Sequence, residues 1–136
     1  MKIRIYKEVQ IDACHRLLHY NGKCSSLHGH RWKIEVWVEG EPERTTHILI
    51  DYNAIKEIVG KYDHQTILNA DDPMAPCIEK FQRVITTPGD PTSELLALLL
   101  RNDLNTYCKE QGIDATIPRI KVWESPNSYA ELRLED

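Results

Sequence analysis

The chain predicts a single α+β domain, an antiparallel four-stranded sheet with two helices on one face in the order β-β-α-α-β-β. Three features carry that expectation. Two early stretches, 3–15 and 28–38, alternate apolar and polar residues with strand periodicity. Two later ones, starting at Asp51 and at Thr92, repeat apolar residues at helical spacing. A closing pair, "TIPRIKVWES" and "SYAELRL", reads as two strands joined by the tight turn "SPN".

In the first strand Ile3, Ile5, Val9, Ile11, Ala13 and His15 share odd parity and therefore one face. In the second, Trp32, Ile34, Val36 and Val38 share even parity with His28 and His30. If both strands run without a bulge, all three histidines project to the apolar side. A helix of about ten residues follows, with Asp51 as its N-cap and Ile55, Ile58, Val59 and Tyr62 at helical intervals. Residues 63–91 hold Asp71-Asp72-Pro73, further prolines and a glycine, and read as loop with a short turn or hairpin. The long helix starts at Thr92 or Ser93, carries Glu94 at the positive end of its dipole and stops at Gly112. Leu96, Leu100, Leu104 and Tyr107 form its stripe, widened by Leu95, Leu98 and Leu99.

No repeat, low-complexity segment or linker divides the 136 residues, so the domain spans 1–136 with room for one core. The formal charge of −4 without a basic run argues against nucleic acid. The absence of a long apolar stretch argues against a membrane span. The start "MKIRIYKEVQ" lacks an apolar leader, so Cys14, Cys24, Cys77 and Cys108 are read as reduced and the compartment as cytoplasmic.

The chemistry concentrates in "CSSLHGH". A His-x-His pair on one strand puts two imidazoles on one side, and His15 on a neighbouring strand can supply a third. Three neutral nitrogen ligands with an open position describe a catalytic zinc site; Cys24 as a fourth ligand would make it a closed, structural one. Near a metal, Cys24 instead becomes a proton carrier or nucleophile. Asp63-His64 offers a carboxylate beside an imidazole. Glu124 has the parity of Ile120 and Val122, so an acid ends an apolar face, either held by donors or reaching water. His19 and His47 have no partner in the pattern and read as exposed. Cys14, Cys77 and Cys108 read as core or surface residues. Lys23 and Arg16 stand between anion contacts and solvated surface charges.

Taken together, "DACHRL", "CSSLHGH", "IDYNAIK", "DHQTILN", "PTSELLA" and "VWESPNSYAEL", in that order, resemble the 6-pyruvoyltetrahydropterin synthase/6-carboxytetrahydropterin synthase family over nearly the whole chain. The three-residue gap between Cys24 and His28 is similar to the bacterial carboxytetrahydropterin branch. The resemblance implies the tunnelling fold (T-fold), assembled as homo-oligomeric trimers or hexamers. It implies Zn2+ on His15, His28 and His30, and Cys24 acting with an Asp63-His64 pair from a neighbouring subunit. It also implies a pterin ring anchored by Glu124 with Thr92 and Ser93 beside it. The implied activity is a lyase converting 7,8-dihydroneopterin triphosphate to 6-carboxy-5,6,7,8-tetrahydropterin, with acetaldehyde and triphosphate released into a queuosine-type 7-deazapurine route. The alternatives are triphosphate elimination alone, giving 6-pyruvoyltetrahydropterin, or sepiapterin side-chain cleavage; from another class, a non-catalytic structural zinc protein. In the resembled family a glycine commonly precedes "ILIDY", where His47 stands, and the Ala70–Asp90 stretch is shorter in compact bacterial members.

Overall fold

The alternation at the start of the chain produces two 13-residue strands, β1 (Ile3–His15) and β2 (His28–Gly40). They pair antiparallel along their full length, from Ile3 opposite Gly40 to His15 opposite His28. The structure, a computed structural model, describes residues 1–134. Odd residues of β1 from Val9 onward and even residues of β2 from Trp32 onward are buried, so the parity expectation holds without a bulge in this pair. The remaining elements are α1 (Tyr52–Gly60), β3 (Gln65–Asn69), α2 (Met74–Ile78), β4 (Val84–Thr87), α3 (Ser93–Glu110), β5 (Ala115–Ser125) and β6 (Ser128–Arg133).

Two expectations need correction. The sheet has six strands in the order β4-β3-β1-β2-β5-β6 and is mixed, because β3 runs parallel to both β1 and β4. The segment expected to be loop supplies β3, β4 and the five-residue helix α2, so among the described residues there are three α-helices rather than two. β3 is buried on successive residues from Thr66 to Asn69, which removes the alternation that reveals a half-exposed strand.

The helix ends match their signals. The Asp51 carboxylate accepts from Asn53 N, and Thr92 Oγ1 accepts from Leu95 N, each satisfying an otherwise free amide of the first turn. Gly112, at φ +65°, takes the left-handed conformation that follows the end of α3. On α3 the buried residues are Leu96, Ala97, Leu100, Leu104 and Cys108. Leu98 is exposed, so the buried stripe is narrower than its leucines suggest. His47, where the resembled family commonly has glycine, adopts φ 62°.

One core sits between the sheet and helices α1 and α3. It is built from Trp32, Ile34, Val36 and Val38 of β2, Ile55 and Val59 of α1, Leu100 and Leu104 of α3, and Ile117, Ile120 and Val122 of β5. Cys108 is buried, Cys77 exposed and Cys14 half-buried, and all four cysteines are free. No described helix is long and apolar enough to cross a membrane.

Candidate metal centre

Register brings the three imidazoles together. His15 ends β1 directly opposite His28 at the start of β2, and His30 lies opposite Ala13. Shared parity then turns all three toward the core side, with ring centroids 4.7, 5.2 and 4.8 Å apart. One ring nitrogen from each lies within 4.8 Å of the others. The Trp32 indole stacks edge-on against His15 and His30 at 4.9 and 5.2 Å, and its Nε1 donates to the Ala13 carbonyl, which holds the floor of the cluster in place.

Two rings have their orientation set from behind. His15 Nδ1 lies 2.7 Å from the Pro91 carbonyl and His28 Nδ1 lies 2.6 Å from the Ser26 carbonyl. A carbonyl only accepts, so each Nδ1 carries the proton and each Nε2 keeps its lone pair. His15 Nε2 and His30 Nε2 are buried and have no hydrogen-bond partner. Burial also holds the His15 and His30 pKa values below the ordinary one, which favours neutral imidazoles. Buried, neutral nitrogens that converge without partners are what a divalent cation needs from a protein, so the residues present fit a metal ion.

Glu124, half-buried on β5, brings its Oε1 to 3.5 Å from His30 Nε2 without making a hydrogen bond. A cavity of about 430 Å³ opens there, lined by Gln10, His30, Arg31, Lys33, Trp123 and Glu124. A larger one, about 700 Å³, lies around Ile3, Ile48 and Tyr52, away from the imidazoles.

Cys24 is half-buried on a 3-10 turn, Lys23–Ser25, and its carbonyl accepts from Leu17 N at 2.8 Å. Among the described residues, the group able to hold a metal comprises the three histidines without Cys24. Asp63 and His64 do face each other. His64 takes φ 59°, which swings its Nδ1 to 3.0 Å from Asp63 Oδ2, while Asp63 Oδ1 accepts from Asp12 N at 2.8 Å. The Asp12 amide, aided by His64, holds the Asp63 carboxyl below its usual pKa. His64 is largely exposed and lines a cavity with Asp12, Cys14, His30, Arg31 and Thr66. The pair is not part of the three-histidine group able to hold a metal.

Thr92 and Ser93 follow the Pro91 carbonyl that orients His15. The Thr92 oxygen caps α3 and Ser93 Oγ donates to Glu94. His19 and His47 are exposed, as expected. Sequence reasoning missed the Pro91 and Ser26 carbonyls, which have no side-chain signature. It also missed the role of Arg16, whose guanidinium is neither a free anion contact nor a solvated charge but forks onto Asp72.

Comparison with known proteins adds an independent line. The family model described as 6-pyruvoyl tetrahydropterin synthase matches residues 4–135. The chain is 29% identical to a 6-carboxy-5,6,7,8-tetrahydropterin synthase of Rickettsia felis, over 96% of this chain and 99% of that one. It is likewise 29% identical to one of Aquifex aeolicus, over 99% and 100%. Among solved structures, an uncharacterized protein of Wolinella succinogenes superposes with a TM-score of 0.78 at 21% identity, covering 99% of both chains. A 6-pyruvoyl tetrahydropterin synthase of Plasmodium falciparum gives 0.65 at 22%, again covering 99% of both.

Proposed function

The chain belongs to the 6-pyruvoyl tetrahydropterin synthase family, and on that premise we propose that it is a zinc-dependent lyase. With one molecule of water it converts 7,8-dihydroneopterin triphosphate to 6-carboxy-5,6,7,8-tetrahydropterin, releasing acetaldehyde and triphosphate. The observation that carries this proposal is the convergence of three imidazoles, two with orphaned Nε2 atoms, beside the carboxylate of Glu124. The names of the Rickettsia and Aquifex relatives and the short Cys24–His28 spacing support the carboxy product over the pyruvoyl one.

His15, His28 and His30 hold the ion. When bound, zinc supplies Lewis acidity toward the hydroxyl groups of the substrate side chain. Glu124 accepts hydrogen bonds from the amino and ring N–H groups of the pterin, fixing the ring with its side chain toward the three histidines. The start of α3, Thr92 and Ser93, borders that ring. Cys24 moves a proton on one side of the side chain. On the other side a neighbouring copy's Asp63-His64 pair moves one, as the family resemblance implies. Each positioned acid or base contributes roughly 10²–10⁴-fold in rate.

The test is direct. Metal-loaded protein is incubated with 7,8-dihydroneopterin triphosphate, and acetaldehyde and the pterin product are followed. Cys24→Ala retains its metal and loses most turnover. No acetaldehyde from metal-loaded protein would refute the lyase, and a pyruvoyl product without acetaldehyde would assign elimination alone. Loss of metal from Cys24→Ala would instead point to a closed structural site.

A further inference from the structure

Cys24 sits on a short 3-10 turn closed by its own bonds from Ser25 N to Gly22 O and from Ser26 N to Lys23 O, and contacts from outside the turn fix where it sits. The chain that runs out of β1, residues 16–19, does this from one side. Leu17 N donates to the Cys24 carbonyl at 2.8 Å, and Arg16 Nη1 reaches the Ser25 carbonyl at 3.4 Å. That segment is itself held by two carboxylates from the stretch after β3. Asp90 accepts from Leu18 N at 3.0 Å and from His19 N at 2.8 Å. Asp72, with a side chain 0% exposed, takes both Arg16 Nε at 2.6 Å and Nη2 at 2.5 Å.

We propose that Arg16 and Asp72 form a positioning pair for Cys24, a role that rests on Cys24 acting as the proton carrier assigned above. The fork geometry matters. Two guanidinium nitrogens lock onto one carboxylate, which leaves the third aimed at the backbone of the residue after Cys24. Asp72 is in turn fixed by Met74 N, 2.8 Å from its Oδ1, at the entrance to α2. The Ala70–Asp90 stretch thereby anchors the thiol's turn through one buried ion pair. Lysine at position 16 could keep a charge contact with Asp72, but it has no second arm for Ser25.

The experiment compares Arg16→Lys with the parent and with the double variant Arg16→Met, Asp72→Asn. The double variant removes both charges of the pair, so it leaves no unpaired buried ion to unfold the domain. Metal content, kcat and KM for 7,8-dihydroneopterin triphosphate, and amide hydrogen exchange at Leu17, Ser25 and Ser26 are measured on each. Both variants are expected to keep metal content and KM within about twofold. Their kcat falls roughly 10–100-fold, the scale of a misplaced catalytic group, and exchange at those amides speeds up about tenfold. Exchange and kcat both within twofold of the parent would overturn the proposal. So would a fall in kcat without faster exchange, faster exchange without a fall in kcat, or a loss of metal, which would assign the pair to His15 instead. A parent with no turnover sinks the lyase proposal, while the exchange measurements still report on the pair.

Discussion

Replacing Asp63 by asparagine separates two duties that one carboxylate performs. Its Oδ1 accepts from Asp12 N at 2.8 Å, which ties the end of the α1 segment to β1. Its Oδ2 holds His64 Nδ1 at 3.0 Å. The amide of asparagine keeps an oxygen for Asp12 N but turns an NH2 group, a donor, toward His64. The structural loss is the difference between a charge-assisted and a neutral hydrogen bond, about 1 kcal/mol, and the pair's partial exposure adds little Coulombic energy to that. This corresponds to a fall of a few degrees in Tm. The catalytic loss is larger. A donor facing Nδ1 selects the tautomer with its proton on Nε2, so the ring presents the wrong nitrogen for the same proton transfer. A drop in kcat of about 10²-fold follows, equivalent to about 2.7 kcal/mol on the barrier. The assay is acetaldehyde release under saturating substrate, with thermal unfolding measured on the same preparation. A variant with kcat within threefold of the parent would refute the assignment of His64 as an oriented acid or base.

Chelation should abolish turnover and leave the domain folded by circular dichroism, since the core between the sheet and helices α1 and α3 is built from apolar side chains that hold no ion, even where Trp32 touches His15 and His30; unfolding on chelation would make the ion structural. Acid should expose the Arg16–Asp72 pair. The Arg16 fork holds the Asp72 carboxyl below its usual value of 3.8, so its stabilisation is complete above that pH and is lost as the pH falls through the lower folded-state value. Asp72→Asn is therefore expected to lower stability near neutrality and to flatten the acid limb below about pH 4 in urea titrations at stepped pH. Leu104→Ala, at a fully buried site on α3, should cost about 3 kcal/mol by urea unfolding, and a loss under 1 kcal/mol would contradict the packing described.

How much of this was legible in the residues depended on whether a side chain carried the signal. The long strands β1 and β2 announced themselves through alternation because one face meets the core and the other does not, and the same parity located all three histidines. Asp51 and Thr92 were readable as caps because their side chains do the capping. β3 was hidden by burial on successive residues, and β4, at four residues, is too short to set up a period. Pro73, Pro76 and Pro88 around them argued for loop. The carbonyls of Pro91 and Ser26, which orient His15 and His28, are invisible in any composition because every residue has one. Asp63-His64 could be noticed as a dipeptide, but adjacent residues face each other only through an unusual backbone turn that the letters do not encode.

That turn sets chemistry against durability. At φ 59°, a residue with a Cβ is held in a conformation that glycine adopts freely, and the strain is on the order of 1 kcal/mol. His64→Gly is thus expected to melt slightly higher than His64→Ala while neither transfers a proton. A laboratory selection for heat resistance alone would discard this imidazole early, and the surviving clones would be robust and inert.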